Sequence, residues 1–567
     1  MPVPVRLAAA LAVLALATAH PAAAADPDRP RLLVLVYFDQ LRGDYLGRWQ
    51  EAFPDGGFRR ITSEGAWFTN CHYPYGYTVT AAGHASVATG CSPAIHGVVG
   101  NDWYDRAAGK SVNCVGSDRH EQVPSRTAEG ADDDEKKGAR GGVSPERMLK
   151  PSIADALKDA TDGKAKVVAL SLKNRGAALP GGKHPDAAYW IDGGTGTFVT
   201  STYYRDAVHP WVAEYNRAKP ADRWRGKTWD RLRPDLDYAA LSGPDDTAGE
   251  SLGAGQGRTF PHPFVPADPK AKPAYYSAVL ASPFGNDLVL DLAEKAIDAE
   301  HLGADDVPDL LSLSFSSNDL VGHAWGPDSQ EVLDVTLRSD RTVKRLLDVL
   351  DAKVGKGRYV LALTADHGVC PLPEVSRAHG RDAARVQSAT GPKIEKFLAE
   401  KYGKGAVKWL QAISGPWVYL NAAAVRAAGT NPANVEAALA AWLAKQDGVQ
   451  AAYTRTQLTA DGPAGDDVAR IVKQSFFPAR SGDVYVLLKP YYLASGKLGT
   501  GTTHGTPYEY DTHVPLVVYG AGVTPGVHKE RVAPLAAAPI LAAAAGVAPP
   551  AGSAVPVPDG LLATGGK

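Results

Sequence analysis

The chain has 567 residues, 44% of them hydrophobic, enough to bury a large core as one domain with insertions or as about two to three domains. Lysine and arginine number 60 against 62 acidic residues, and the formal net charge of -2 excludes a global field that would draw nucleic acid or an anionic membrane. Any recognition of charge has to be local.

Residues 1–25, "MPVPVRLAAALAVLALATAHPAAAA", carry one cation at Arg6, an apolar run from Leu7 to Ala17 and small residues at Ala23 and Ala25. This pattern reads as a cleaved secretory signal peptide. The run is short for a bilayer span, no cysteine stands beside the cleavage region to take a lipid, and no later run reaches roughly 18 apolar residues. The expectation is a soluble exported protein without a membrane anchor, periplasmic or secreted. Cys71, Cys91, Cys114 and Cys370 would then meet an oxidising environment, with their pairing left open. Cys370, close after His367, reads as a disulfide partner or a buried thiol rather than a metal ligand.

Next come apolar, β-branched runs that end in polar residues capable of chemistry. "RLLVLVYFDQ" runs into Asp39, "KVVALSLKNR" into Lys173 and Arg175, "PDLLSLSFSSND" into Asp319, and "RYVLALTADHG" into Asp366 and His367. Each reads as a strand buried on both faces. Helical patterns lie between them, such as "SQEVLDVTLRSDRTVKRLLDVLDAKVG", with Leu333, Leu337, Leu346, Leu347 and Leu350 on an apolar side. The expected fold class is α/β, a mostly parallel sheet flanked by helices, with inserted loop-rich and mixed α+β subdomains. Ligands of such sheets bind beyond the carboxyl ends of the strands, where these polar residues fall.

After the signal peptide, the expected catalytic domain comprises 26–375 and 483–567. The charged, glycine-rich stretch 129–142 reads as a solvated loop. Residues from about 190 to 280 read as a covering insertion in which Trp211, Trp224 and Trp229 pack. Residues 376–482 read as an inserted mixed subdomain whose helix "NVEAALAAWLAKQ" presents Val435, Leu439, Trp442 and Leu443 on one face.

The metal-ligating residue types are Asp39, Asp319 with His323, Asp366 with His367, and His504 with His513. Each pair alone occurs by chance, but gathered at one sheet edge they could hold two zinc-like ions. Such a pair of ions serves in-line phosphoryl displacement and calls for a nucleophile. In "GYTVTAAGHASVATG", Thr78 and Thr80 precede a helical run; either could be an N-cap, and Thr80 could be the nucleophile beside helix N–H groups.

The motifs "VYFDQLRGDYL", "TAAGH", "TGCSPAIHGVVGNDWY", "SLKNRGAALPGG", "SNDLVGHAWGP", "TADHGV" and "GTTHGTPYEYDTHVPLVVYG" together resemble the alkaline phosphatase superfamily, in its PafA-like, phosphate-irrepressible branch. The resemblance implies that Asp39, Thr80, Asp366 and His367 surround one zinc and that Asp319, His323 and His504 surround the other. It makes Thr80 the phosphorylated nucleophile, four residues before His84, and leaves Thr78 a turn residue and His513 a supporting one. It implies that Asn101, Lys173 and Arg175 hold phosphoryl oxygens. A monoester dianion exposes a charged oxygen that a diester has esterified, so these extra donors favour phosphate monoesters. The implied partners are small-molecule monoesters, with no nucleic acid, and a monomer is compatible with them. A phosphodiesterase or nucleotide pyrophosphatase is the alternative, and a non-catalytic metal- or phosphate-binding protein the remote one. A sulfatase is disfavoured, because "CSPAI" puts Ile95 where that frame needs arginine.

Overall fold

Leu32–Phe38 shows no alternation of apolar and polar residues because both of its faces are covered: all seven residues are buried in the middle of a ten-stranded sheet. The computed structural model describes residues 29–125, 142–264, 275–460, 466–495 and 497–563. The segment 1–25 and nearly all of the charged stretch 129–142 lie outside the described residues.

In chain order the strands of this sheet are β1 (Leu32–Phe38), β2 (Ala66–Phe68), β3 (Gln122–Val123), β4 (Val167–Ser171), β5 (Ala187–Asp192), β6 (Thr197–Ser201), β7 (Asp309–Phe315), β8 (Tyr359–Thr364), β9 (Leu516–Gly520) and β10 (Gly526–His528). They lie in the order β10-β2-β9-β8-β1-β7-β4-β5-β6-β3. The four apolar runs singled out in the sequence are the four contiguous strands β8, β1, β7 and β4, all parallel. Register is direct, with Val34 opposite both Leu311 and Leu361, so the carboxyl ends of these strands finish level with one another. β5 continues the parallel set, whereas β9 and β6 pair antiparallel on either side of it. The sheet is therefore mixed, and its central part is parallel.

Four helices position the site: α1 (Thr80–Thr89), α2 (Asn174–Gly181), α3 (Ser317–Trp325) and α4 (Gln330–Leu350). Leu333, Leu337, Leu346, Leu347 and Leu350 of α4 are buried as the periodicity predicts. α1 is unusual in being buried on every side. Its small residues permit that, and Gly83 requires it: a Cβ there would run into the backbone carbonyl of Asp366.

The stretch from 190 begins inside the main sheet, as the end of β5 and then β6, before turning into loop-rich chain. Trp229 is fully buried and donates its indole N–H to Asp334 Oδ2 at 2.7 Å, and Trp224 stacks on Phe284, so these aromatics pack. Between β8 and β9 the chain builds a separate four-stranded sheet from Leu410–Ser414, Trp417–Leu420, Val484–Leu488 and Val449–Thr454, which extends past residue 482. The helix Pro432–Leu443 buries Val435, Leu439 and Leu443 against it. All four cysteines are unpaired and buried, so of the two readings of Cys370 the buried thiol holds.

Candidate active site

The chain reaches the carboxyl edge of the sheet with a polar residue at the end of each central strand. Asp39 follows β1, Asp366 and His367 follow β8, Lys173 follows β4 as the residue that opens α2, and Asp319 lies in the first turn of α3 after β7. His323 stands one turn further along α3, and His504 comes from the loop before β9. Two groups result, Asp39 with Asp366 and His367, and Asp319 with His323 and His504, and within each group three ligand atoms lie within 4.8 Å of one another. The His367 and His504 rings stack at 3.4 Å, which joins the two groups.

The three imidazoles share one arrangement. Each donates its Nδ1–H to a backbone carbonyl: His367 to Gly368 at 2.9 Å, His323 to Thr502 at 2.7 Å and His504 to Thr78 at 2.8 Å. That bond fixes the tautomer in which Nε2 keeps its lone pair, the form a metal ligand needs. Burial presses in the same direction, pushing His367 down to about 3 and His504 well below its ordinary value. Burial also acts on His323, but the adjacent Asp319 carboxylate outweighs it and raises that pKa.

Three carboxyl groups converge here. Asp39 and Asp366 are fully buried and Asp319 nearly so, and the part-buried ammonium of Lys173 donates to Asp39 Oδ2 and Asp319 Oδ2 at 2.6 Å each. Burial and then repulsion from Asp39 push Asp366 well above the usual carboxylate range. Burial opposes ionisation of Asp319 too, but His323, Lys173 and His504 together hold it well below that range. Asp39 Oδ1 and Asp366 Oδ2 are buried without a hydrogen-bond partner. Unpaired buried carboxylate oxygens beside lone-pair imidazole nitrogens suit divalent cations bound by oxygen and nitrogen.

Thr80 is the first residue of α1, and its Oγ1 lies 3.4 Å from His367 Nε2. The residue capping the helix is Val79, so neither threonine is an N-cap. Thr78 instead donates its hydroxyl to the Thr506 carbonyl at 3.0 Å, and its own carbonyl orients His504. Asn101 Oδ1 accepts the Ala81 N–H at 2.9 Å, which leaves its amide group to donate. Thr80, Asn101, Lys173 and Arg175 all line one cavity of about 700 Å³, together with Asp319, His323 and His504. His513 is not among them: its Nε2–H donates to the Thr69 carbonyl at 3.0 Å, and its ring stacks on His72.

Sequence reasoning missed Gln40. Its backbone is left-handed, with φ 69°, and this turns the N–H onto Asp366 Oδ1 at 3.1 Å and the side-chain Nε2 onto Asp319 Oδ1 at 2.6 Å. One residue thus holds a carboxylate of each group. Gly322 makes the room, since a Cβ there would strike the Gln40 carboxamide. His84 also has a role that its motif did not define: it is fully buried, with Nδ1 at 2.9 Å from the Thr80 carbonyl and Nε2 at 2.9 Å from Ser314 Oγ, and it ties α1 to β7.

The type I phosphodiesterase / nucleotide pyrophosphatase family model matches residues 33–512. The chain belongs to this family. Within it, the chain is similar to alkaline phosphatase PhoV of Synechococcus elongatus, 33% identical over 537 residues, which cover 94% of this chain and 93% of that protein. Alkaline phosphatase PafA of Elizabethkingia meningoseptica is 34% identical over 499 residues, 88% of each chain. The crystal structure of wild-type alkaline phosphatase PafA matches with a TM-score of 0.84 at 32% identity, covering 93% of this chain and 98% of that one. The PafA-like resemblance carried by the motifs and the α/β fold expected from the strand pattern are both borne out. Family membership brings divalent-metal binding with it, and the two ligand groups are where such ions would be held.

Proposed function

We propose that the protein is a zinc-dependent alkaline phosphatase that hydrolyses phosphate monoesters to an alcohol and inorganic phosphate through a phosphothreonine at Thr80. The observation that carries this reading is the meeting, in one cavity, of a buried helix-initial hydroxyl, the ligand group Asp319, His323 and His504 and the donors Asn101, Lys173 and Arg175, with Thr80 Oγ1 also 3.4 Å from His367 of the second group. Its relatives named alkaline phosphatase support the same activity.

Two zinc ions, one held by Asp39, Asp366 and His367 with Thr80 and one by Asp319, His323 and His504, would lower the pKa of the hydroxyl and offset charge on the leaving oxygen. The rest is the work of the chain. Thr80 Oγ1, its proton released to solvent, attacks phosphorus as the ester P–O bond opposite it breaks, and the alkoxide departs and takes a proton from solvent. Asn101, Lys173 and Arg175 donate to the equatorial oxygens, where charge is spread in the transition state. Water then attacks the phosphothreonine from the vacated side, releasing phosphate and restoring the hydroxyl. Burial disfavours the charge on Lys173, but Asp319 and Asp39 together outweigh it and raise its pKa.

A phosphodiesterase is the competing reading, because the matched family is described by that activity. Comparing an aryl phosphate with a bis-aryl phosphate separates the two, and a clear diester preference overturns the monoesterase. Thr80→Ala is expected to abolish turnover and the acid-stable phosphoprotein; a variant that keeps most metal-dependent hydrolysis overturns the nucleophile. We further propose that residues 1–25 direct export to the periplasm or medium, and that the segment between β8 and β9 is a subdomain inserted into the catalytic one. None of the helices among the described residues is long and apolar enough to cross a membrane.

A further inference from the structure

Two of the carbonyls that orient the imidazoles, those of Thr78 and Gly368, belong to segments anchored by one residue. Asp511 lies in the short helix Glu509–Thr512 before β9, is fully buried and belongs to neither ligand group. Its carboxylate gathers the chain that follows His504. Oδ2 accepts three hydrogen bonds, from the Gly505 N–H at 3.0 Å, the Thr506 N–H at 2.8 Å and the Thr506 hydroxyl at 2.6 Å, while Oδ1 is buried with no partner among the described residues. Burying a carboxyl group with one oxygen unmet costs stability. What the three bonds provide is a fixed path for residues 504–506.

That path closes a ring around His504. The Thr506 carbonyl accepts the Thr78 hydroxyl at 3.0 Å, and the Thr78 carbonyl accepts the His504 Nδ1–H at 2.8 Å. From Asp511 the bonds therefore run through Thr506 and Thr78 to the imidazole, and Thr78 stands two residues before Thr80. The main chain of Asp511 serves the other imidazole. Its carbonyl accepts the Gly368 N–H at 2.8 Å, and the Gly368 carbonyl in turn accepts the His367 Nδ1–H at 2.9 Å. The neighbouring Tyr510 carbonyl accepts the Val369 N–H at 2.8 Å, so the chain after β8 is laid directly against the short helix. A Cβ on Gly368 would strike that Tyr510 carbonyl, which is why the approach can be this close.

We propose that Asp511 is a positioning residue for both ligand imidazoles, its carboxylate setting His504 through Thr506 and Thr78 and its main-chain carbonyl setting His367 through Gly368. A substitution removes the side-chain half and leaves the main-chain half, so loss of the carboxylate weakens the site of Asp319, His323 and His504 and spares the other. The inference rests on the reading of His367 and His504 as metal ligands.

The test titrates the full chain with zinc and measures the affinity of each bound ion by chelator competition, for the wild type and for Asp511→Ala, Asp511→Asn, Thr506→Val and His504→Ala. Asp511→Ala is expected to hold the ion that His504→Ala weakens about 10- to 100-fold less tightly, and the other ion within about threefold of wild type. Asparagine can place its one oxygen where Oδ2 stands, so Asp511→Asn is expected to restore most of the loss. Thr506→Val removes only the hydroxyl bond, at a part-buried residue, and is expected to weaken the same ion about 3- to 10-fold; it carries the test if Asp511→Ala does not fold. Wild-type affinity in both Asp511→Ala and Thr506→Val, an equal loss at both ions, or an asparagine variant no better than alanine overturns the role. If His504→Ala binds both ions as the wild type does, the ligand reading falls and the role falls with it.

Discussion

Replacing Gln40 with methionine removes one hydrogen bond while keeping the length of the side chain and the left-handed backbone that a non-glycine residue already adopts there. The bond lost is the 2.6 Å contact from Nε2 to Asp319 Oδ1, made between two side chains that are each about 3% exposed. The backbone contact to Asp366 Oδ1 remains. A hydrogen bond to a charged group contributes about 1.5–3 kcal/mol, so Asp319 should bind a divalent cation roughly 10- to 100-fold more weakly once its orientation is no longer fixed. Lys173 still grips Asp319 Oδ2, which keeps the carboxylate charged and confines the loss to geometry. The assay is chelator competition, metal by metal, on Gln40→Met and wild type, with thermal unfolding of the metal-free proteins alongside. The expected result is a weakened affinity with a metal-free melting temperature that changes little. Affinities that agree within about twofold would refute the argument that Gln40 fixes Asp319.

Lys173→Ala and Arg175→Ala should each lower kcat/KM for an aryl phosphate by about 10²- to 10³-fold while changing bis-aryl phosphate turnover much less, and parallel steady-state assays measure the difference. Gly83→Ala drives a Cβ into the Asp366 carbonyl and should cost about 1–3 kcal/mol of stability, and about 100-fold in kcat through displacement of Thr80, read by thermal unfolding and kinetics. Asp511 accepts hydrogen bonds from the Gly505 and Thr506 N–H groups and the Thr506 hydroxyl, yet burial outweighs them and raises its pKa to about 7. The folded chain therefore holds a proton that the unfolded chain releases near pH 4, and stability present at lower pH is lost as pH rises from about 4 to about 7, by at most about 4 kcal/mol. Asp511→Asn should remove that slope; melting temperatures for the two proteins that keep a constant difference between pH 4.5 and 8 would contradict it.

The centre of the fold was legible because burial on both faces leaves a plain signature: β1, β4, β7 and β8 are continuous apolar runs, and each ends in the polar residue it delivers to the site. The outer strands were not. β2 and β10 have three residues each and β3 has two, too short for any periodicity to register. The metal-ligand candidates were legible as residue types, their gathering at one edge followed from the parallel arrangement of the strands, and their division into two groups came from the family resemblance. Gln40 was hidden because its importance lies in a positive φ and in the space left by Gly322, both consequences of the folded chain. The carbonyls of Thr78, Gly368 and Thr502 were hidden for a different reason: every residue has a carbonyl, so no side chain marks the ones that orient an imidazole.

The four thiols have a consequence for how the protein can be made. Cys71, Cys91, Cys114 and Cys370 are each no more than 1% exposed, and burial raises the pKa of every one, that of Cys114 to about 12. They remain protonated and shielded, and the fold uses no covalent cross-link among them. Its architecture is thus indifferent to redox potential: the chain should reach the same folded state in a reducing cytosol as in an oxidising compartment, without an isomerase, and a reductant in the buffer should leave its melting temperature unchanged.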